Sequence, residues 1–295
     1  MFSLADSWLA AVGLAAVGSC RLFRRLLTTV VPAAVLFAGV LFAGVPAKAA
    51  DPPLHVPILL YHRFGPAVTD DMTVTTRVFE GQLATLQERG HQVIRLRDLV
   101  GALQGSGAML PDRAVVLAVD DGHRTVYTDL FPLIVRLRLP VTLFIYPTAI
   151  SNASYALTWE QLAEMKASGL VDVQSHTLWH PNFNVERRRL APPAYERFVQ
   201  DQLIKSKVVL EQRLGGKVDL LAWPFGLYDQ QLMQWASAAG YVMAFSIERR
   251  AVTRTENPMA LPRYIVTDAD RGARFGTLLS GPAQQPATNA KAVPQ

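Results

Sequence analysis

Cysteine is nearly missing from this chain of 295 residues: there is one, Cys20. It lies in the first 49 residues, so a chain that has lost that segment can form no internal disulfide and must hold together by its core. Clustered positive charge is also scarce. Lys and Arg number 29 against 24 Asp and Glu, but Arg21, Arg24, Arg25 and Lys48 fall in the first 49 residues, opposed only by Asp6. Beyond them 25 basic residues face 23 acidic ones, so the net +5 of the whole chain shrinks to +2. A nucleic-acid partner would demand a concentrated basic face, and the short run Arg187-Arg188-Arg189 reads as a solvated surface, so no such partner is expected. The sequence also shows no internal repeat and no second periodic pattern. With 50% hydrophobic residues, it can bury one substantial core.

What is present begins with a leader. An apolar stretch at 26–45 follows Arg21, Arg24 and Arg25 and precedes Ala47-Lys48-Ala49, the order of a secretory signal. Cleavage after Ala49 is expected. An uncleaved membrane anchor is the alternative, because the stretch approaches the length that spans a bilayer. Gly18-Ser19-Cys20 has only a faint likeness to a lipoprotein site, without basic residues before it. The protein is therefore expected to be exported, periplasmic or associated with the cell envelope. Residues 50–270 would form its catalytic domain, and the Pro-, Ala- and Gln-rich tail 271–295 is expected to be disordered.

From residue 55 onward short β-branched runs alternate with stretches of helical period. Strands are predicted at 58–61, 92–95, 114–119, 141–146, 171–174, 219–223 and 241–246. Helices are predicted at 77–89, with Thr76 as N-cap and Gly90 as stop, and at 97–103, 125–138, 159–168, 193–214 and 229–239. This alternation predicts a single α/β domain, an irregular (β/α) barrel of about seven parallel strands. A doubly wound open sheet would show the same pattern and is the alternative.

Unusual polar residues fall at the C-terminal ends of the predicted strands, where parallel barrels carry their sites. His62 follows the first strand, Asp120 and Asp121 the third, His176 the fifth, and Pro224-Phe225-Gly226 the sixth. An Asp after a strand is commonly a helix N-cap, which accounts for one aspartate but not two. Neighbouring residues of a strand face opposite ways, so the pair can share a site only where the turn redirects one of them. His176 and His180, four apart, are read as lying on one face of a helical turn, where two imidazoles can grip one metal ion. Capping or packing is the alternative for His180. Two imidazoles and a carboxylate make an open site that suits zinc or another divalent transition metal. Iron oxygenases use the same triad, but no oxidase-type signature accompanies it here. Trp179, Trp223 and Tyr146 are placed near this rim as candidate stacking faces for sugar rings, with core packing as the plainer role of each.

Val119-Asp120-Asp121-Gly122 and Ser175-His176-Thr177-Leu178-Trp179-His180 resemble, in order, the first two motifs of the polysaccharide deacetylases, carbohydrate esterase family 4, and the likeness spans 55–266. The resemblance implies a (β/α) barrel that removes acetyl groups from a polysaccharide with a divalent metal ion, zinc first, with cobalt, nickel or iron as alternatives. It also implies Asp120 as general base and Asp121, His176 and His180 as metal ligands. Tyr61-His62-Arg63-Phe64 resembles the branch whose motifs are circularly rearranged, which includes deacetylases of poly-β-1,6-N-acetylglucosamine; that likeness implies His62 as general acid. Trp223-Pro224-Phe225-Gly226 resembles the third motif, which implies that a backbone N–H near Phe225 helps hold the oxyanion. The usual arginine of that motif is missing. Arg263 is the candidate to buttress Asp120 in its place, a solvent-facing side chain being the commoner explanation. Phe225 stands where tyrosine is usual, and His123 where an aromatic is frequent. Peptidoglycan, chitin-like oligomers and small amides are admissible substrates beside the exopolysaccharide. A non-catalytic envelope polysaccharide-binding protein is the rival from another class, opposed by the complete set of base, acid and ligands. Membrane attachment through an uncleaved leader is the further partner considered.

Overall fold

The computed structural model describes residues 54–106 and 109–280. The leader and the last part of the tail, 281–295, lie outside the described residues. The frame follows from apolar runs that bury both faces. Strand β5 (Ala114–Asp120) is buried at every position, as expected of a parallel strand covered on both sides. It stands in a row with β1 (Ile58–Tyr61), β6 (Val141–Ile145), β7 (Val171–Ser175), β8 (Leu220–Ala222), β9 (Met243–Phe245) and β10 (Tyr264–Ile265). The order is β10-β1-β5-β6-β7-β8-β9 and every pairing is parallel. The two ends of the row meet where Leu261 bridges Phe245 in parallel, just before β10 joins β1. The sheet is thus a curled (β/α) barrel, as the alternation predicts.

Seven strands make the row, but not the seven expected. The predicted strand at 92–95 is β4 (Gln92–Ile94), which pairs only with the first half of β5 and stands off the row. Its place is taken by β10, whose two residues are too few for an alternation signal. A separate parallel pair, β2 (Arg63–Gly65) with β3 (Thr73–Thr75), was hidden for the same reason.

Helices α1 (Thr76–Glu88), α2 (Leu96–Leu103), α3 (Phe131–Leu137), α4 (Trp159–Ala167), α5 (Phe183–Arg189), α6 (Pro192–Leu214), α7 (Gln230–Ala238) and α8 (Gly272–Leu279) connect and cover the strands. The N-cap of α1 is Thr75 rather than Thr76: its hydroxyl accepts the Val78 N–H at 3.3 Å. The helix expected over 125–138 is divided into a π turn, Val126–Leu130, and α3, with Pro132 at the junction lacking the N–H that would continue the α ladder. The tail departs from expectation at its start. Residues 272–279 are helical and bury Phe275, Leu278 and Leu279 against the domain, so disorder from Arg271 is overturned for the part described. The Pro- and Ala-rich composition that suggested disorder belongs to the residues beyond it. Among the described residues no helix is long and apolar enough to cross a membrane.

Strand alternation divides the core in two. Leu59, Tyr61, Val115, Leu117, Val119, Leu143 and Ile145 face a layer that includes Phe79, Leu162, Leu203, Leu232 and Phe275 from the surrounding helices. Ile58, Leu60, Val116, Ala118, Phe144, Leu220, Ala222 and Phe245 face the other way, into the barrel, with Leu96, Leu99 and Val100 of α2 packed on the same cluster. Phe144 and Phe245, on strands that are not neighbours, approach to 5.3 Å between ring centres across that interior.

Candidate active site

In four segments the inward series ends on a polar residue. Ile58 and Leu60 lead to His62, Val116 and Ala118 to Asp120, Gln174 to His176, and Leu261 to Arg263. Period two therefore aims four polar side chains from four segments into one end of the barrel. Asp120 is 2% exposed and Arg263 0% exposed. Arg263 Nη1 and Nη2 each donate to one carboxylate oxygen of Asp120 at 2.8 Å, and its Nε donates to the Ser246 carbonyl at 3.0 Å. The guanidinium also lies 5.3 Å from the centre of the Phe144 ring. The solvent-facing alternative for Arg263 is ruled out by this burial.

Asp121 would face the helix layer if the strand continued. Instead it takes φ 71° and Gly122 takes φ 77°, so the chain reverses and the second carboxylate turns back to the rim. A Cβ at Gly122 would lie 2.8 Å from Ile145 Cδ1, so glycine is required there by space as well as by φ. Both carboxylates approach His176 Nε2, Asp120 Oδ2 at 3.7 Å and Asp121 Oδ1 at 3.6 Å, but only Asp120 has both oxygens held by Arg263, and only Asp121 also faces His180 Nε2, at 3.7 Å.

The histidine pair converges by a different route from the one expected. Residues 176–180 form a loop, not a helical turn; Thr177 and His180 have φ 66° and 64°, and the His180 N–H donates to Thr177 Oγ1 at 3.2 Å. The rings meet at 4.5 Å between centres. His176 Nδ1 donates to the Ala222 carbonyl at 2.8 Å, which fixes the tautomer and leaves Nε2 as the lone-pair nitrogen. One atom from each of Asp121, His176 and His180 lies within 4.8 Å of the others. An N2O donor set with one tautomer fixed from behind fits a divalent transition metal and leaves coordination positions open. Burial pushes the His176 imidazole down to about 3, with Asp120 opposing and His180 adding to the fall. Burial lowers His180 as well and raises the Asp121 carboxyl from its ordinary value. Burial alone would also raise Asp120, but Arg263, His176 and His62 together outweigh it and hold that carboxyl below its ordinary range.

His62 stands close enough to feel both aspartates; burial lowers its imidazole, and its Nδ1 is buried without a hydrogen-bond partner. Phe225 has φ 56° in the short 3-10 turn Pro224–Gly226, and its half-exposed ring rests edge-on against His180 at 4.5 Å between centres. The third-motif segment thus lies beside the metal-type triad. Of the three aromatics placed at the rim, Trp179 is exposed and Tyr146 half-buried, but Trp223 is fully buried and gives its indole N–H to the Met259 carbonyl at 2.8 Å. It is core and offers no sugar face.

Sequence reasoning placed Tyr146 at the rim and noted His123, but missed Arg63 and Tyr155 in the wall beside Asp121. Arg63, His123, Tyr146 and Tyr155 line with it a cavity of about 310 Å3. The Tyr146 and Tyr155 hydroxyls lie 2.8 Å apart, His123 stacks on Tyr155 with ring centres 6.2 Å apart, and its Nδ1 is 2.9 Å from Thr125 Oγ1. Arg63 pairs with Asp70. Arg63 was findable as the neighbour of His62 at a strand end. Tyr155 comes from an irregular stretch between β6 and α4 that carries no periodic signal.

Comparison with known proteins places this arrangement among relatives. Residues 108–244 match the family model described as polysaccharide deacetylase. YxkH of Bacillus subtilis (strain 168) is 25% identical over 227 residues, 77% of this chain and 77% of that protein. The poly-β-1,6-N-acetyl-D-glucosamine N-deacetylase of Staphylococcus aureus (strain MRSA252) is 24% identical over 200 residues, 66% of this chain and 68% of that protein. The structure of IcaB from Ammonifex degensii shares the fold with a TM-score of 0.68 at 24% identity, over 76% of this chain and 97% of that one.

Proposed function

We propose that this chain, whose residues 108–244 match the polysaccharide deacetylase family model, is a hydrolase of N-acetyl amide bonds and, more finely, a metal-dependent N-deacetylase of an N-acetylglucosamine polymer, of the poly-β-1,6-linked exopolysaccharide type. The observation that carries the chemistry is the Arg263-clamped Asp120 beside the Asp121, His176 and His180 triad. The linkage is supported by the Staphylococcus aureus relative, and export to the periplasm or envelope by the leader.

An acetamide is a poor electrophile and water a poor nucleophile. A divalent ion held by Asp121, His176 and His180, zinc before cobalt, nickel or iron, would polarise the acetyl carbonyl and ease deprotonation of water. Asp120, ionised and held in one orientation, takes the proton of the attacking water as the oxygen–carbon bond forms. His62 delivers a proton to the sugar nitrogen as the carbon–nitrogen bond breaks, so that acetate and a free amine leave. Burial lowers that imidazole from its ordinary value, with the charges of Asp120 and Asp121 opposing. The backbone N–H at Phe225 is assigned to the developing oxyanion, where one such donor can be worth about 3–4 kcal/mol. The test is acetate release from poly-β-1,6-N-acetylglucosamine oligomers with and without added zinc, cobalt or nickel, beside Asp121→Ala. Metal-dependent release that the variant lacks supports the reading. A folded, metal-loaded protein that releases no acetate from these oligomers sinks the proposed linkage.

A further inference from the structure

The end of the barrel opposite this site carries a second opening. Residues that precede the strands gather there: His55 before β1, His91 before β4, Asp112 and Arg113 before β5, joined by Arg89 from the end of α1 and Ser280 after α8. They line an open cavity of about 350 Å3. Parallel barrels place their reactions at the other end, so this opening is not part of the hydrolytic site.

Its donors are held but not neutralised. Among the described residues neither Arg89 nor Arg113 forms an ion pair with a carboxylate, and Asp112 pairs with neither. Arg113 Nη1 donates to the Arg89 carbonyl at 2.6 Å and Arg89 Nη1 to the Gly276 carbonyl at 3.2 Å. Those bonds fix both forks and leave further N–H groups on each. Gly276 makes the room: a Cβ there would overlap the Arg89 guanidinium. His91 Nδ1 is buried with no hydrogen-bond partner. Burial lowers the His91 imidazole, and against a backbone hydrogen bond to Arg113 the charges of Arg113, Arg89 and His55 lower it further, the response of a group in a positive field. We propose that this cavity binds a phosphate-type anion between the guanidiniums of Arg89 and Arg113, with the imidazoles of His55 and His91 as further donors. Guanidinium forks match phosphate oxygens two at a time, and a single carboxylate, Asp112, opposes four donors. The phosphate can come from a lipid headgroup or from solution.

Calorimetric titration of the full-length protein with inorganic phosphate at constant ionic strength tests the site. One saturable site is expected, weakened about tenfold or more in Arg89→Gln/Arg113→Gln, since a charge-assisted hydrogen bond contributes about 1.5–3 kcal/mol. Acetate release should be unchanged. Gly276→Ala, which evicts Arg89 without removing a charge, is the second variant and should weaken phosphate too, whereas Arg136→Gln, on a surface pair with Glu80, should not. Co-sedimentation with phosphatidylcholine vesicles, with and without phosphatidic acid, identifies the source. Retention that phosphatidic acid raises for the native protein and not for the arginine variants assigns a lipid headgroup; equal retention with phosphate binding intact assigns a soluble phosphate. The proposal is overturned by a folded native protein with no saturable phosphate binding, by binding that survives in both variants, or by binding lost instead in Asp121→Ala.

Discussion

A guanidinium with no exposed surface, as at Arg263, must be matched by charge where it lies, and Asp120 matches it with both oxygens. Removing one partner of such a buried pair leaves the other uncompensated. Arg263→Met is expected to cost about 3–5 kcal/mol in urea unfolding, well above the loss for a surface arginine. The variant also separates the clamp from mere packing through pH. Asp120 is held below its ordinary range, so its contribution to stability is complete above the ordinary carboxylate pKa and is lost as pH falls through the lowered value. Without Arg263 that value rises, and the acid limb of kcat/KM should move to higher pH. An acid limb unmoved in Arg263→Met would sever Arg263 from the base. At this scale the residue types were legible in the sequence: His62, Asp120, Asp121, His176 and His180 all reach one rim. Arg263 was named as the buttress of Asp120, but the sequence alone left a solvent-facing side chain open, because the choice depends on the alternation of Leu261, Arg263 and Ile265 around a two-residue strand.

Among the elements, the long periodic helices and the apolar strands could be read within a residue or two. The misreadings have local causes. The four-residue spacing of His176 and His180 suggested a helical turn, yet it is met by left-handed backbone at Thr177, a β-branched residue that disfavours that region. No propensity argument reaches such a loop; the hydrogen bonds that hold it, which Ser175 Oγ, Gln202 Oε1 and Thr177 Oγ1 accept from the N–H groups of Thr177, Trp179 and His180, form only in the folded chain. Helix α8 was lost against the Pro- and Ala-rich composition of residues 281–295. Its Phe275 is fully buried, so Phe275→Ala should cost about 3–5 kcal/mol by thermal or chemical unfolding while leaving kcat per folded molecule unchanged. A loss under about 1 kcal/mol would mean that α8 does not belong to the cooperative unit.

For the molecule as a whole, the site sets a pH and metal dependence of stability. Burial lowers His176 to about 3 and lowers the half-buried His180 in the same direction, whereas the ordinary value of each is 6.5. Below 6.5 the unfolded state binds more protons, so the metal-free protein loses stability as pH falls from there toward about 3. Ligation requires unprotonated imidazoles, and the folded site keeps them so well below 6.5, so the rise in Tm on adding zinc should persist under mild acid and shrink only as pH falls toward about 3. Tm measured across pH in chelator and in zinc checks both; a zinc effect independent of pH would argue against the histidine ligands.

The barrel closes through Leu261 and β10. Arg263 and Asp120 are 143 residues apart, and the arginine sits just before β10, the last strand of the row in chain order. A chain that ends before Arg263 would have Asp121, His176 and His180 but lack the partner that orients Asp120, so such a truncation is expected to leave amide bonds alone even where it folds.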